Sequence, residues 1–271
     1  MISVSPTRSS SVSKTLASLE KKGTQIGRSK DKALFFLKGR DFLMGQRQKR
    51  EKIAREKLIL ARTVAERLKI IPTVKLVGLT GRLAMRNVDP EDDIDLLIIT
   101  ASSRLWLTRL LAVALLECLG KRRRPQDQDV KNKICLNMFL DEDQLALPSQ
   151  ERNLYTAHEV VQMKPLWGKD QTHNRFLKAN QWVKQYLANA LGNSPRAKEA
   201  QTKKGITRGP INLLETLARR FQLSYMSRRR TTEVATPHRA LFHPQSAQDW
   251  VLKEYRRRLS KYGLRAKTKT R

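Results

Sequence analysis

The stretch VKLVGLTGRLAMRNVDPEDDIDLLIIT, residues 74 to 100, constrains this 271-residue chain more than any other. Two strand-like apolar runs, VKLVGL and IDLLIIT, flank a turn that Gly78 and Gly81 allow and a short helical segment beginning at LAM. At the second run stand Asp93 and Asp95, separated only by Ile94. Side chains two apart on a strand point the same way, so the two carboxylates project side by side. Held that close they repel, and a buried strand rarely begins on two acids unless something pairs them. A divalent cation relieves the repulsion, and hard ions such as magnesium prefer carboxylate oxygens together with substrate phosphates. An Asp-x-Asp alone also occurs on solvated strand ends; the flanking strands and glycines make this pair a candidate metal site.

With these residues in place, the segment resembles the nucleotidyltransferases related to DNA polymerase beta. Their signature is a strand, a Gly-Ser or Gly-Gly turn, and Asp-x-Asp on the next strand. Here Gly81 and Arg82 occupy the turn, ten residues follow, and Asp93, Ile94 and Asp95 close the motif. The wider likeness is to bacterial nucleotidyltransferase-domain proteins, through GLTGRLAM, RLWLTR, ICLNMFL and RNLYTAHEVVQMKPLW, over about residues 50 to 190.

The resemblance implies an α/β (α+β) fold, a small mixed sheet of the polymerase-beta-like type with flanking N- and C-terminal helices. It implies transfer of a nucleoside monophosphate from a nucleoside triphosphate to a hydroxyl acceptor, with release of pyrophosphate. Asp93 and Asp95 would hold Mg2+ or Mn2+, and Gly81 and Arg82 would meet the nucleotide. Nothing in the sequence identifies the acceptor or which nucleotide is used.

Two positions depart from the family pattern. Where relatives carry a small Ser or Gly, this chain has Arg82, whose guanidinium either clamps a triphosphate or blocks the pocket by its bulk. Active relatives also place a third acid on a later strand. The candidate strand is ICLNMFL, residues 134 to 140, where alternation sets Cys135, Asn137 and Phe139 on one face. Asn137 thereby stands for the third acid; asparagine can ligate a cation but is a poor base. Asp141, Glu142 and Asp143 follow and read as a turn, with a substitute carboxylate as the alternative. Two rival functions stay open: a catalytically degenerate member that binds nucleotide or nucleic acid, and a basic nucleic-acid-binding protein.

Charge points to polyanions. The chain has 55 basic against 25 acidic residues and a formal charge of +30, which makes RNA or DNA an expected partner through a basic surface. Apolar residues, 39%, suffice for a core. Cys118 and Cys135 sit in apolar contexts without zinc-ligand spacing, so both read as buried free thiols of a cytoplasmic protein. No run reaches the roughly 18 apolar residues that span a bilayer, and LWLTRLLAVALLECL reads as a core helix.

The organisation follows from composition and periodicity. Residues 1–43 form a basic segment, disordered or partly helical; their start has Ser and basic residues, no acid before Glu20, and no apolar secretory core. Residues 44–191 hold the catalytic domain, led by a helix over 44–70 that ends before Pro72 and has a basic, solvated first half. KRRRP at 121–125 falls in a loop. His158 and Glu159 lack a second histidine four residues away, so His158 reads as a packing or hydrogen-bonding residue. Residues 176–191 read as a helix burying aromatics. A basic linker at 192–209 precedes two C-terminal helices over 210–264 and a basic tail at 265–271.

Overall fold

The computed structural model describes residues 9–23, 26–29, 34–191, 199–200, 210–227, 234–242 and 246–264. In chain order these form α1 (Ser9–Lys21), β1 (Ile26–Arg28), β2 (Phe35–Leu37), α2 (Phe42–Leu68), β3 (Val74–Leu79), α3 (Gly81–Ala84), β4 (Ile94–Thr100), α4 (Leu105–Cys118) and β5 (Ile134–Asp141). There follow α5 (Leu154–Gln162), β6 (Lys164–Lys169), α6 (Thr172–Ala179), β7 (Glu199–Ala200), α7 (Pro210–Ser227), β8 (Val234–Ala235), β9 (Arg239–Leu241) and α8 (Ser246–Lys261). Apart from β7, the linker read at 192–209 lies outside the described residues, as do residues 1–8 and the tail at 265–271.

The two apolar runs around the glycine turn become β3 and β4, paired antiparallel with Val77 opposite Ile98 and Leu79 opposite Leu96. β4 runs parallel to β5, and the seven-stranded sheet has the order β7-β6-β3-β4-β5-β9-β8. The fold is therefore mixed α/β, a mixed sheet with flanking helices, as the sequence leads one to expect. β1 and β2 form a separate antiparallel pair.

Helices cover both faces of the sheet, which explains why VKLVGL and IDLLIIT are nearly continuous apolar runs rather than alternating ones. On one face Leu79, Ile94, Leu96, Ile98 and Ile134 pack with Ala61, Val64 and Leu68 of α2 and with Trp106 and Leu116 of α4. On the other, Leu76, Leu97, Ile99 and Leu140 pack with Ala157 and Val160 of α5 and Phe176 of α6. In β4 only Asp95 escapes full burial.

Several elements differ from the sequence reading in instructive ways. Lys57, in the basic half of α2 read as a solvated face, is 4% exposed. Its Nζ donates to the Asp92 carbonyl at 2.6 Å and to Asn132 Oδ1 at 2.9 Å, and these bonds compensate the ammonium for lost water. Cys118, the last residue of α4, is exposed rather than buried. The helix read over 176–191 stops at Ala179, and a 3-10 turn follows at Gln181–Gln185. Asn180 breaks it: fully buried, its side chain accepts from Leu147 N and Trp182 Nε1 and donates to the Leu145 and Phe176 carbonyls.

α7 lies against α4 through Ala218, Gln222 and Met226, with Gln222 Nε2 donating to the Trp106 carbonyl at 2.7 Å. α8 lies against α5. Among the described residues no helix is long and apolar enough to cross a membrane.

Candidate active site

Asp95 belongs to β4, and Asp93 stands just ahead of it, both partly exposed on either side of buried Ile94. The parallel register sets Asp95 beside Cys135 at the start of β5. One oxygen from each carboxylate and the Cys135 sulfur all lie within 4.8 Å of one another. The glycine turn closes over this group. Gly81 has φ +64, and a Cβ built on it would stand 3.1 Å from Asp95 Cγ and closer still to Oδ2. Any side chain at position 81 would meet the carboxylate, so the chain needs glycine there for two reasons, its dihedral and its contact. The Thr80 amide adds a hydrogen bond to the Asp95 carbonyl at 3.0 Å.

The electrostatics follow from this crowding. Burial, then repulsion from Asp93, raises the Asp95 carboxyl to about 6, against a hydrogen bond from Cys135 that pulls the other way. Burial, then the two aspartates, pushes the Cys135 thiol up to about 12, so it is a neutral thiol at neutral pH. The Tyr155 phenol on α5 is likewise raised to about 12, by burial and then by the carboxylates of Glu159 and Asp95.

A protein cation already stands against the pair. Arg123 Nη1 donates to Asp93 Oδ2 at 2.6 Å. The loop that carries it is stitched to β5 by Arg123 N to the Ile134 carbonyl and Ile134 N to the Lys121 carbonyl. The neighbouring arginines are paired as well, Arg122 and Arg124 each reaching Glu117 at 2.7 Å. The KRRRP run read as a loop is thus one whose guanidiniums bond to acids of this chain.

Arg82 is paired with acids of its own loop. Its guanidinium points along the loop between α3 and β4, pairing with Asp89 at 2.6 Å and Asp92 at 2.8 Å while Nε donates to the Asn87 carbonyl at 3.2 Å. Arg50 of α2 pairs with the same Asp89 at 2.9 Å. Together with Lys57, these bonds hold the loop that delivers Asp93 to the end of β4.

Cys135, not Asn137, stands opposite Asp95 in the register. Leu96 pairs with Leu136 and Leu97 with Met138, so Asn137 is the extra residue of a β-bulge. It is buried, and its carbonyl accepts from Phe242 N at 3.0 Å. Asp141 pairs with Thr100 at the far end of β4, too distant to complete the site at Asp95. Its carboxylate accepts from Ser103 N at 2.6 Å and Asp143 N at 2.8 Å, which is turn chemistry. His158 is exposed and bonds to Gln162 one helical turn on.

The donor set suits a hard divalent ion. Two carboxylates supply oxygen ligands, which hard divalent ions prefer. Asp93 and Asp95 could hold Mg2+ or Mn2+. Cys135, Arg123 and Lys57 are the site residues that reading the sequence did not single out. The register of β4 on β5 is what brings in Cys135, and no local pattern records it.

No family model matches the chain, and no curated protein does. Among the solved structures similar over part of it are two toxin-antitoxin structures. One is a crystal structure of a toxin-antitoxin with AMP-PNP, 18% identical with TM-score 0.28, aligning 45% of this chain with 89% of that one. The other is a mutant of the toxin-antitoxin MntA-HpeT, 17% identical with TM-score 0.30, aligning 46% of this chain with 88% of that one. At such scores the likeness carries no weight for fold or chemistry.

Proposed function

We propose that the protein is a nucleotidyltransferase that moves a nucleoside monophosphate from a nucleoside triphosphate to a hydroxyl acceptor. The observation that carries this reading is the packing of Gly81 directly on Asp95, with Asp93 alongside, at the mouth of a strand-turn-strand unit. That unit is what the resemblance to polymerase-beta-like enzymes rests on.

Asp93 and Asp95 would hold the divalent ion, and Gly81 leaves the turn free of a side chain so that nucleotide phosphates could approach the acid pair closely. A bound Mg2+ supplies neutralisation of the triphosphate and a lowered pKa for the acceptor hydroxyl. The acceptor oxygen bonds to the α-phosphorus, the bond to the pyrophosphate oxygen breaks, and the proton passes to water. Cys135 is neutral and takes no part as a base. Arg123 is set to exchange its bond with Asp93 for a phosphate oxygen, to which guanidinium is well suited. The charge of +30 supports RNA or DNA as acceptor or partner.

A second reading, nucleotide or nucleic-acid binding without transfer, is favoured by two observations: Cys135 where an acid would complete the cage, and Arg123 already paired with Asp93. Incubation with Mg2+, each labelled nucleoside triphosphate and RNA, DNA or small hydroxyl acceptors separates the two. Labelled product that vanishes in Asp93→Ala and Asp95→Ala supports transfer; nucleotide binding without product supports the second reading.

A further inference from the structure

A cavity of about 200 Å³ lies between the start of α4, one face of α7 and the turn joining β8 to β9. Its walls include Ser103, Trp106, Arg219, Arg220, Leu223 and His238. It lies at the other end of β4 from the acid pair. Thr100, the strand's last residue, is five positions beyond Asp95, roughly 17 Å at about 3.3 Å per residue.

The acids around this cavity are occupied by backbone donors. Glu215 accepts from Trp106 N at 2.7 Å and Leu107 N at 2.8 Å, so its carboxylate occupies the first turn of α4. Asp141 accepts from Ser103 N and Asp143 N, and His238 Nδ1 stands 3.4 Å from its Oδ2. That arrangement turns one ring nitrogen of His238 to Asp141 and leaves Nε2 for another partner.

The cations are in the opposite condition. Among the described residues neither Arg219 nor Arg220 has an acid partner, and Arg219 Nε is buried with no hydrogen-bond acceptor. A buried guanidinium nitrogen lacking an acceptor is unfavourable, and an anion entering the cavity would supply one. Guanidinium geometry matches phosphate oxygens, the Ser103 hydroxyl adds a neutral donor, and Leu223 gives an apolar wall.

We propose that this cavity binds a phosphate group, free or as the phosphate of a small monoester, at a site separate from Asp93 and Asp95. The volume lies below the roughly 300 to 1,000 Å³ of pockets for drug-sized ligands, which suits a phosphate group or small monoester better than a nucleoside triphosphate.

The test is calorimetric titration of the full chain with inorganic phosphate and, in a second arm, glycerol phosphate, against chloride at matched ionic strength. Saturable binding is expected for the unaltered chain and for Asp95→Asn. Arg219→Gln with Arg220→Gln should weaken it about tenfold or more, as loss of charge-assisted bonds requires. Arg220→Gln alone, at an exposed position that leaves packing intact, should weaken it about threefold, and covers the case in which the double variant misfolds. Tighter binding of the ester than of free phosphate would identify the monoester as the ligand. Equal binding by the unaltered chain and the Arg220 variant, loss of binding in Asp95→Asn, or a response equal to chloride would overturn the proposal.

Discussion

Arg123 and Asp93 form an ion pair of 2.6 Å, so a guanidinium from the loop before β5 occupies one side of the two-aspartate site. Asp93 is 16% exposed and Arg123 40%, so the pair is only partly screened by water. A metal ion held by the proposed site would compete with Arg123 for the same oxygen. Replacing Arg123 by Ala should therefore tighten Mn2+ binding, by about three- to tenfold, the range for removing one competing partly buried charge. Electron paramagnetic resonance of free Mn2+ measures this. Unchanged or weaker metal binding would mean that the ion does not use Asp93.

Gly81 carries the turn over Asp95, so Gly81→Ala adds both a positive-φ penalty and a collision. The cost expected is about 1–3 kcal/mol of stability, a fall in Tm of about 2–4 °C for each kcal/mol in a chain of this size. Calorimetry gives the Tm. Gly120, also at positive φ but with open space where a Cβ would go, is the control and should lose less on the same change.

Asp95 titrates near 6 in the folded chain against 3.8 ordinarily. Between those values the folded state holds a proton that the unfolded state has released, so stability falls as pH rises from about 4 to about 6. The Asn variant at this position should lose that slope and be more stable than the parent at pH 7 without metal. Magnesium needs the ionised carboxylate, so affinity should rise with pH through 6, by up to about tenfold per unit below it. Denaturant titrations across pH and metal titrations at pH 5 and 7.5 check both signs.

Arg82 is bonded to Asp89 and Asp92, which predicts a structural effect for Arg82→Ala. About 1 kcal/mol of stability should be lost, as for partly exposed ion pairs, while nucleotide affinity changes less than about threefold. A large loss of affinity with stability preserved would show instead that Arg82 turns to meet the nucleotide.

What was legible in the sequence is local. The runs at 74–79 and 94–100, the glycine between them and the parity of Asp93 and Asp95 are short-range patterns, and each corresponds to an element or shared face in the structure. What was illegible depends on pairing across the sheet. The parallel register of β4 on β5 sets Cys135 opposite Asp95, a bulge further along leaves Asn137 without a partner on β4, and neither register nor bulges leave a mark in hydropathy. Lys57 looked solvated because its partners, Asp92 and Asn132, lie 35 and 75 residues away. The acid partners of Arg82, Asp89 and Asp92, sit in the loop that the motif treats as spacing, so its ion pairs are not legible there.

The most direct measurement of nucleotidyl transfer compares a triphosphate labelled on the α-phosphorus with one labelled on the γ-phosphorus. The expected result is Mg2+-dependent appearance of the α label, and never the γ label, in an acceptor. It should be accompanied by equimolar pyrophosphate and lost in Asp93→Ala and Asp95→Ala. Transfer of the γ label, or α transfer that survives both substitutions, would contradict the assignment of this chemistry to the aspartate pair.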